Sequence, residues 1–142
     1  MAKRFKVKAI ETQFDGYHFR SRIEARWALV FKLLGQPYEY EKEGYDLGGS
    51  WYLCDFWLPR DHAWVEIKGA HPTKLEIARL RLLAQHTESR SAFIFHGPIP
   101  NPTNWRKTWK TISVFDDPPP LFTTVSDARI SAAFKRARSH RF

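Results

Sequence analysis

Apolar residues recur at helical spacing in three stretches of the chain, and between them lie short runs that alternate or are wholly apolar. The first helical stretch has Ile23, Trp27, Val30, Phe31 and Leu34 on one side, Ser21 at its start and Gly35 at its end. Before it, Ile10 to Phe19 reads as a hairpin, with Asp15-Gly16 supplying the positive φ of a type I′ turn. After it come a polar and aromatic strand within Pro37 to Tyr45, a strand at 51–58 and a returning strand at 63–68, together a three-stranded antiparallel meander. On the strand at 51–58, strict alternation puts Tyr52, Cys54, Phe56 and Leu58 on one face and Leu53, Asp55 and Trp57 on the other.

The second helix starts at Pro72-Thr73 and ends near Gln85. Its apolar surface is broad: Leu75, Ala78 and Leu82, and also Ile77, Leu80 and Leu83. The continuous run at 91–95, SAFIF, suits a strand buried on both faces, and such a strand after a helix implies a parallel crossover. Gly97 to Pro102, GPIPNP, marks the end of the expected core. Beyond it lie NWRKTWK, a strand at Thr111 to Phe115, the loop DDPPP and a helix from about Ser126, with Ile130, Ala133, Phe134 and Ala137 on one side and basic residues elsewhere. Residues 3–8 form a short edge strand or a basic arm. The order helix, three strands, helix, strand predicts an α/β protein with a mixed sheet, in a single domain: a core over about 21–97 and a C-terminal extension over about 98–142.

Composition narrows the function classes. At 142 residues the chain can bury a real core without staples, and its one cysteine, Cys54, excludes an internal disulfide. No Cys/His spacing builds a structural zinc site. No stretch reaches membrane-spanning length and no apolar run follows Met1-Ala2-Lys3-Arg4, so a soluble, cytoplasmic protein with no membrane partner is expected. The formal charge of +8 and an aromatic content of 15% favour a polyanionic partner, nucleic acid ahead of membrane.

Candidate chemistry gathers between Tyr52 and Gly69. Glu66 and Lys68 are two apart on one strand and share a face, Ile67 points the opposite way into a core, and Asp55 lies on the preceding strand. Two carboxylates and an ammonium on one face suit a hard-cation site better than they suit stability. Glu24 has two readings: as the third residue after Ser21 it completes a capping-box pattern, and as an acidic residue at a helix start it can join the carboxylates. Thr73 and Glu76 repeat the capping pattern on the second helix. Arg20 and Arg22 at the first helix's start, Lys74 at the second's, and Lys135 and Arg136 on the terminal helix are candidate phosphate contacts or solvated surface charges. Trp105 and Trp109, among Arg106, Lys107 and Lys110, are read as packing residues rather than base-stacking ones. His62, His71 and His96 are read as loop or strand-end residues.

Asp55, ten residues, then Glu66-Ile67-Lys68, with Glu24 on the preceding helix, resembles the signature of the PD-(D/E)XK nuclease superfamily. Cys54 stands where the leading proline of the motif name would be. The resemblance covers residues 21–97, and the segment from FRSRIEARWA to WVEIKG also looks like small proteins encoded by bacteriophages and prophages. It implies a restriction-endonuclease-like αβββαβ core and Mg²⁺-dependent hydrolysis of phosphodiester bonds in DNA, with Mn²⁺ as a substitute ion. Structure-specific or resolvase-like cleavage is included. Asp55, Glu66 and the Ile67 carbonyl would hold the ion, with Glu24 completing its shell or helping to hold a second. Lys68 would orient the nucleophile or stabilise the transition state, and Gly69 would leave room for the substrate backbone. A homodimer and a phage protein partner are further options. The alternative is a catalytically silent nucleic-acid-binding module, or an accessory protein of a phage replication or packaging complex.

Overall fold

The computed structural model describes residues 9–142; the basic segment at 3–8 lies outside the described residues. The chain opens with a two-stranded hairpin, β1 (Thr12–Phe14) and β2 (Tyr17–Phe19), whose turn places Asp15 at φ 52° and Gly16 at φ 80°, the two positive angles that a type I′ turn requires. Helix α1 (Arg22–Leu33) follows, with Ser21 at its N-cap. Gln36 Nε2 then donates to Asp61 at 2.7 Å, tying the chain after the helix to the loop before a later strand.

The expected three-stranded meander is present, and two of its strands are subdivided. The first becomes β3 (Glu39–Tyr40) and β4 (Gly44–Asp46), and the second becomes β5 (Trp51–Leu53) and β6 (Phe56–Leu58). β4 and β5 pair only with each other as a small ribbon, while β3 and β6 join the main sheet with β7 (Ala63–Lys68). Helix α2 (Lys74–Thr87) carries the chain to β8 (Ser91–His96), which pairs parallel with β7, so the expected crossover is realised.

The sheet does not end there. A short helix, α3 (Trp105–Thr108), leads to β9 (Thr111–Ser113), which pairs antiparallel with β8 and completes the order β3-β6-β7-β8-β9. The last helix, α4 (Asp127–Ser139), lies antiparallel to α1: Arg129 at its start donates to the Leu33 carbonyl, and the Ala137 carbonyl near its end accepts from Arg26. Ile130, Ala133, Phe134 and Ala137 enter the same hydrophobic cluster as Trp27, Phe31 and Val65. The stretch after Gly97 therefore packs as part of the main core rather than beyond it.

Two apolar layers sandwich the sheet. On one side α1 and α4 cover Phe56, Leu58, Ala63, Val65, Ile67, Phe93 and Phe95. On the other, Leu80, Leu83 and Ala84 of α2 cover Trp57, Trp64, Ala92 and Ile94. Trp105 and Trp109 are half-buried against the first layer, where Trp109 stacks on Phe122 at 5.7 Å, so packing is their role. Leu75 and Leu82 of α2, expected in its apolar surface, are exposed at 70% and 50%; Leu80 and Leu83 do the covering. No described helix is long and apolar enough to cross a membrane.

Candidate active site

The site forms where the strand at 51–58 breaks. Phe56 and Leu58 face α1, whereas Tyr52 and Cys54 lie in the α2 layer with Trp57. Strict alternation would have put Tyr52, Cys54, Phe56 and Leu58 together, so the phase slips by one residue at Cys54-Asp55. Neither residue belongs to a strand. In place of a regular ladder bond, the Asp55 carboxylate accepts the Ile67 N–H at 2.7 Å, and the Asp55 carbonyl accepts the Glu41 N–H at 2.8 Å. The Cys54 thiol donates to the Val65 carbonyl at 3.4 Å. The break thus ties together three strands at the place where the chemistry gathers.

Extending the β6–β7 register, Phe56 opposite Val65, sets Asp55 opposite Glu66. Their carboxyl groups lie within hydrogen-bonding reach of each other, and the Asp55 pKa stands well above the ordinary carboxylate value. Burial is the largest cause, followed by the hydrogen bond to Glu66 and the charges of Glu66 and Glu24; the Ile67 N–H pulls the other way. Glu66 is buried and accepts a hydrogen bond from the Tyr52 hydroxyl. Burial likewise pushes the Tyr52 phenol far up, so it serves as a donor to the carboxylate.

Glu24 comes from α1, on the opposite side of the sheet, near enough for its charge to act on Asp55. Its carboxylate is buried at 6% exposure and accepts hydrogen bonds from the Tyr40 hydroxyl at 2.8 Å and from the Ser21 hydroxyl at 2.5 Å. It does not reach back to the Ser21 backbone N–H, so the expected capping box is only half formed: Ser21 Oγ accepts the Glu24 N–H at 3.3 Å, and the reciprocal bond is absent.

Lys68 stands on the same strand and face as Glu66, and its ammonium pairs with Glu76 of α2 at 2.8 Å. Burial acts to lower its pKa, but the hydrogen bond to Glu76 and the charges of Glu66, Glu76 and Asp55 outweigh this and raise it. A raised ammonium is a cation at neutral pH and not a base, which is compatible with both roles set out from the sequence, orienting a nucleophile and stabilising charge. One strand along, His96 lies in register with Lys68 and packs edge-on against His71, ring centres 5.0 Å apart.

Sequence reasoning missed three members of this arrangement: Tyr40, Tyr52 and Glu76. Glu76 had a visible signal, its place two residues into a helix that starts just after Glu66-Ile67-Lys68. The tyrosines had none, because their roles depend on which strand faces which. The remaining candidates separate. Arg20 is engaged by Glu41 at 2.6 Å and donates its backbone N–H to Tyr40, so it braces the site rather than standing free for phosphate. Arg22 is exposed at the first position of α1, and Lys74, Lys135 and Arg136 are exposed on α2 and α4. A Cβ placed on Gly69 would meet nothing within 4 Å, so packing inside the protein does not demand a glycine there.

Among the described residues, no three His, Cys, Asp or Glu side chains are grouped closely enough to hold a metal ion by themselves. The set expected from the sequence included Glu24 as a third carboxylate; Asp55, Glu66 and the Ile67 carbonyl alone are two carboxylates and a main-chain carbonyl, which suits an ion such as Mg²⁺ that keeps several waters. The electrostatics fit a cation. Glu76, Glu66 and Asp55 all act on the one ammonium of Lys68, and Asp55 remains without a cationic hydrogen-bond partner.

No family model matches the sequence, and no curated protein does. Among solved structures, the chain described as "Crystal structure of SSO0001" overlaps at a TM-score of 0.41 and 15% identity, over 80% of this chain and 56% of that one. The present chain therefore spans a little over half the length of that protein.

Proposed function

We propose that the protein is a metal-dependent endonuclease that hydrolyses phosphodiester bonds in DNA, with Asp55, Glu66 and the Ile67 carbonyl as the ion's ligands. The observation that carries this reading is the placing of the Asp55 and Glu66 carboxyls side by side, opposite each other across β6 and β7, at the one break in the strand. The restriction-endonuclease-like order α1, β3, β6, β7, α2, β8 supports it, as does Lys68 on the Glu66 face.

Each residue then has a task. The Ile67 N–H and the Tyr52 hydroxyl fix one oxygen each of Asp55 and Glu66, and a cation would take the place of the proton that Asp55 holds against Glu66. Mg²⁺ held there would supply charge neutralisation at phosphorus and a water of lowered pKa. Glu24, oriented by Tyr40 and Ser21, completes the acidic wall through water. Lys68 brings positive charge to the phosphate undergoing attack, and Glu76 holds it in place. The open space at Gly69 admits the substrate backbone. Phage or prophage origin, a cytoplasmic setting and assembly as a homodimer or with a phage protein belong to the same proposal.

The test is a cleavage panel of linear, nicked, single-stranded, flapped and four-way DNA with Mg²⁺ and with Mn²⁺, using the parent protein, Asp55→Asn and Lys68→Ala. Cleavage that falls by about a thousandfold or more in both variants is expected. Cleavage undiminished in folded variants would sink the assignment. Calorimetric titration of Mg²⁺ separates the silent-module alternative, which requires no Asp55-dependent ion binding.

A further inference from the structure

Three arginines line one cleft on the α1 flank of the molecule. Arg22 and Arg26 sit four apart on α1, Arg138 comes from the end of α4, and Ile23, Pro98 and Ile99 form the rest of the wall. Like charges gathered in this way repel one another, and burial together with the charge of Arg22 lowers the Arg26 pKa. No carboxylate within salt-bridge distance answers any of the three among the described residues, and the segment at 3–8 contains no Asp or Glu to do so. Arg26 is held rigidly. Its Nη1 donates to the Ala137 and His140 carbonyls at 2.6 and 3.0 Å, and its guanidinium lies 5.4 Å over the Phe142 ring. That leaves its other N–H groups for a ligand, with Arg22 and Arg138 as exposed arms on either side.

From this cleft we infer that Arg22, Arg26 and Arg138 bind successive phosphate groups of the nucleic-acid backbone, at a point of contact apart from the carboxylates. The inference rests on the nuclease reading for its substrate and names a second point of contact for it. Guanidinium groups offer paired donors that match phosphate oxygens. The mixed lining fits a sugar–phosphate chain, in which charged phosphates alternate with apolar sugar edges: three arginines beside Ile23, Pro98 and Ile99. The cleft is a contact point apart from the chemistry: Arg22 and Arg26 share one face of α1, and Glu24 faces roughly 200° around the helix from Arg22. The arginine that the sequence did not single out, Arg138, does here what was expected of Lys135 and Arg136.

The test measures binding of a short fluorescein-labelled DNA duplex, and of its single strand, across a salt series in EDTA, so that cleavage plays no part. The Arg22→Gln/Arg138→Gln protein is expected to bind on the order of tenfold more weakly at low salt, with the salt slope reduced by about 2, one counterion for each lost phosphate contact. Arg22→Lys/Arg138→Lys should restore the slope. Arg81→Gln/Arg90→Gln removes the same charge from exposed positions on α2 and just before β8, and should change the slope by much less. An unchanged slope in the first pair, or an equal change in the Arg81/Arg90 control, overturns the cleft. The nuclease reading fails separately: a protein that binds through these arginines yet cleaves no DNA with Mg²⁺ retains the cleft and loses the chemistry.

Discussion

Helices α1 and α2 begin with the same pattern, Ser21-Arg22-Ile23-Glu24 and Thr73-Lys74-Leu75-Glu76, and end up doing different things with it. On α2 the box closes: Thr73 Oγ1 accepts the Glu76 N–H at 3.1 Å, and Glu76 Oε1 accepts the Thr73 N–H at 2.9 Å. Glu76 remains partly exposed and uses its second oxygen for Lys68. On α1 the hydroxyl half forms, but Glu24 meets the Ser21 hydroxyl instead of the Ser21 N–H and is buried against Tyr40. A carboxylate gains little stability from such burial, because desolvation opposes it and only neutral hydroxyls compensate. The difference teaches that the same cap pattern leaves its glutamate in two settings: Glu24 is buried between two hydroxyls at a cost that helix capping does not explain, while Glu76 stays at the helix end and is placed by the helix.

Exchanging each glutamate for glutamine breaks the comparison most sharply. Glu24→Gln is expected to lower the cleavage rate about a hundredfold while changing stability little, since the glutamine oxygen can still accept from Tyr40 and its amide N–H can donate to the Ser21 hydroxyl. Glu76→Gln keeps a capping acceptor and loses only the charge facing Lys68, so its rate should fall by less than about tenfold. Steady-state cleavage beside a chemical melt of each protein measures both. Equal losses would mean that the two caps are not functionally different.

Next in size is Tyr40→Phe, which removes the hydroxyl that orients Glu24. It should cost about 1 kcal/mol in urea denaturation, and it should reduce cleavage in the same direction as Glu24→Gln. Combining the two should give less than the product of the separate rate effects, because both act through one carboxylate.

The pH dependence of stability separates the buried carboxyl from the exposed ones. Asp55 titrates above its unfolded value, so the folded protein keeps a proton that the unfolded chain has released. Its contribution falls as pH rises from about 4 through the raised folded value. Glu76, held down by Lys68, and Asp15, held down by Lys32, act in the opposite sense. Their stabilisation is present above the ordinary carboxyl range and is lost as pH falls through their lowered values, and being mostly exposed they contribute little. In EDTA the melting temperature should therefore decline from mildly acid pH towards alkaline pH. Asp55→Asn should flatten that decline, and Mg²⁺ should raise the melting temperature most at the alkaline end.

The smallest expected effects concern the caps themselves. Ser21→Ala and Thr73→Ala should each cost about 1 kcal/mol, measured by urea denaturation. Ser21→Ala should also disturb cleavage, because its hydroxyl donates to Glu24; Thr73→Ala should not.

Much of the architecture was legible because local rules decide it. Asp15-Gly16 fixes a turn type by steric freedom, Ser21 and Thr73 fix helix starts by the need to satisfy free N–H groups, and the apolar run at 91–95 fixes a buried parallel strand. The slip at Cys54-Asp55 was not legible. A strand that changes phase carries the same residue types as one that does not, and only the pairing of β6 with β7 and of β4 with β5 shows where the ladder breaks. The place of β9 in the sheet was hidden for a related reason: a strand was legible at Thr111 to Phe115, but the three residues that form it give no alternation long enough to assign its neighbour.

By itself, then, the sequence determined the order of elements, the helix caps and the candidacy of Asp55, Glu66 and Lys68, since each follows from residues near one another in the chain. Only the tertiary structure decided that Asp55 faces Glu66 across a broken strand, that Tyr40 meets Glu24, that Glu76 holds Lys68, and that Arg138 joins Arg22 and Arg26. These are contacts between elements far apart in sequence. Burial and charge act through distance in space, and no local pattern records that distance.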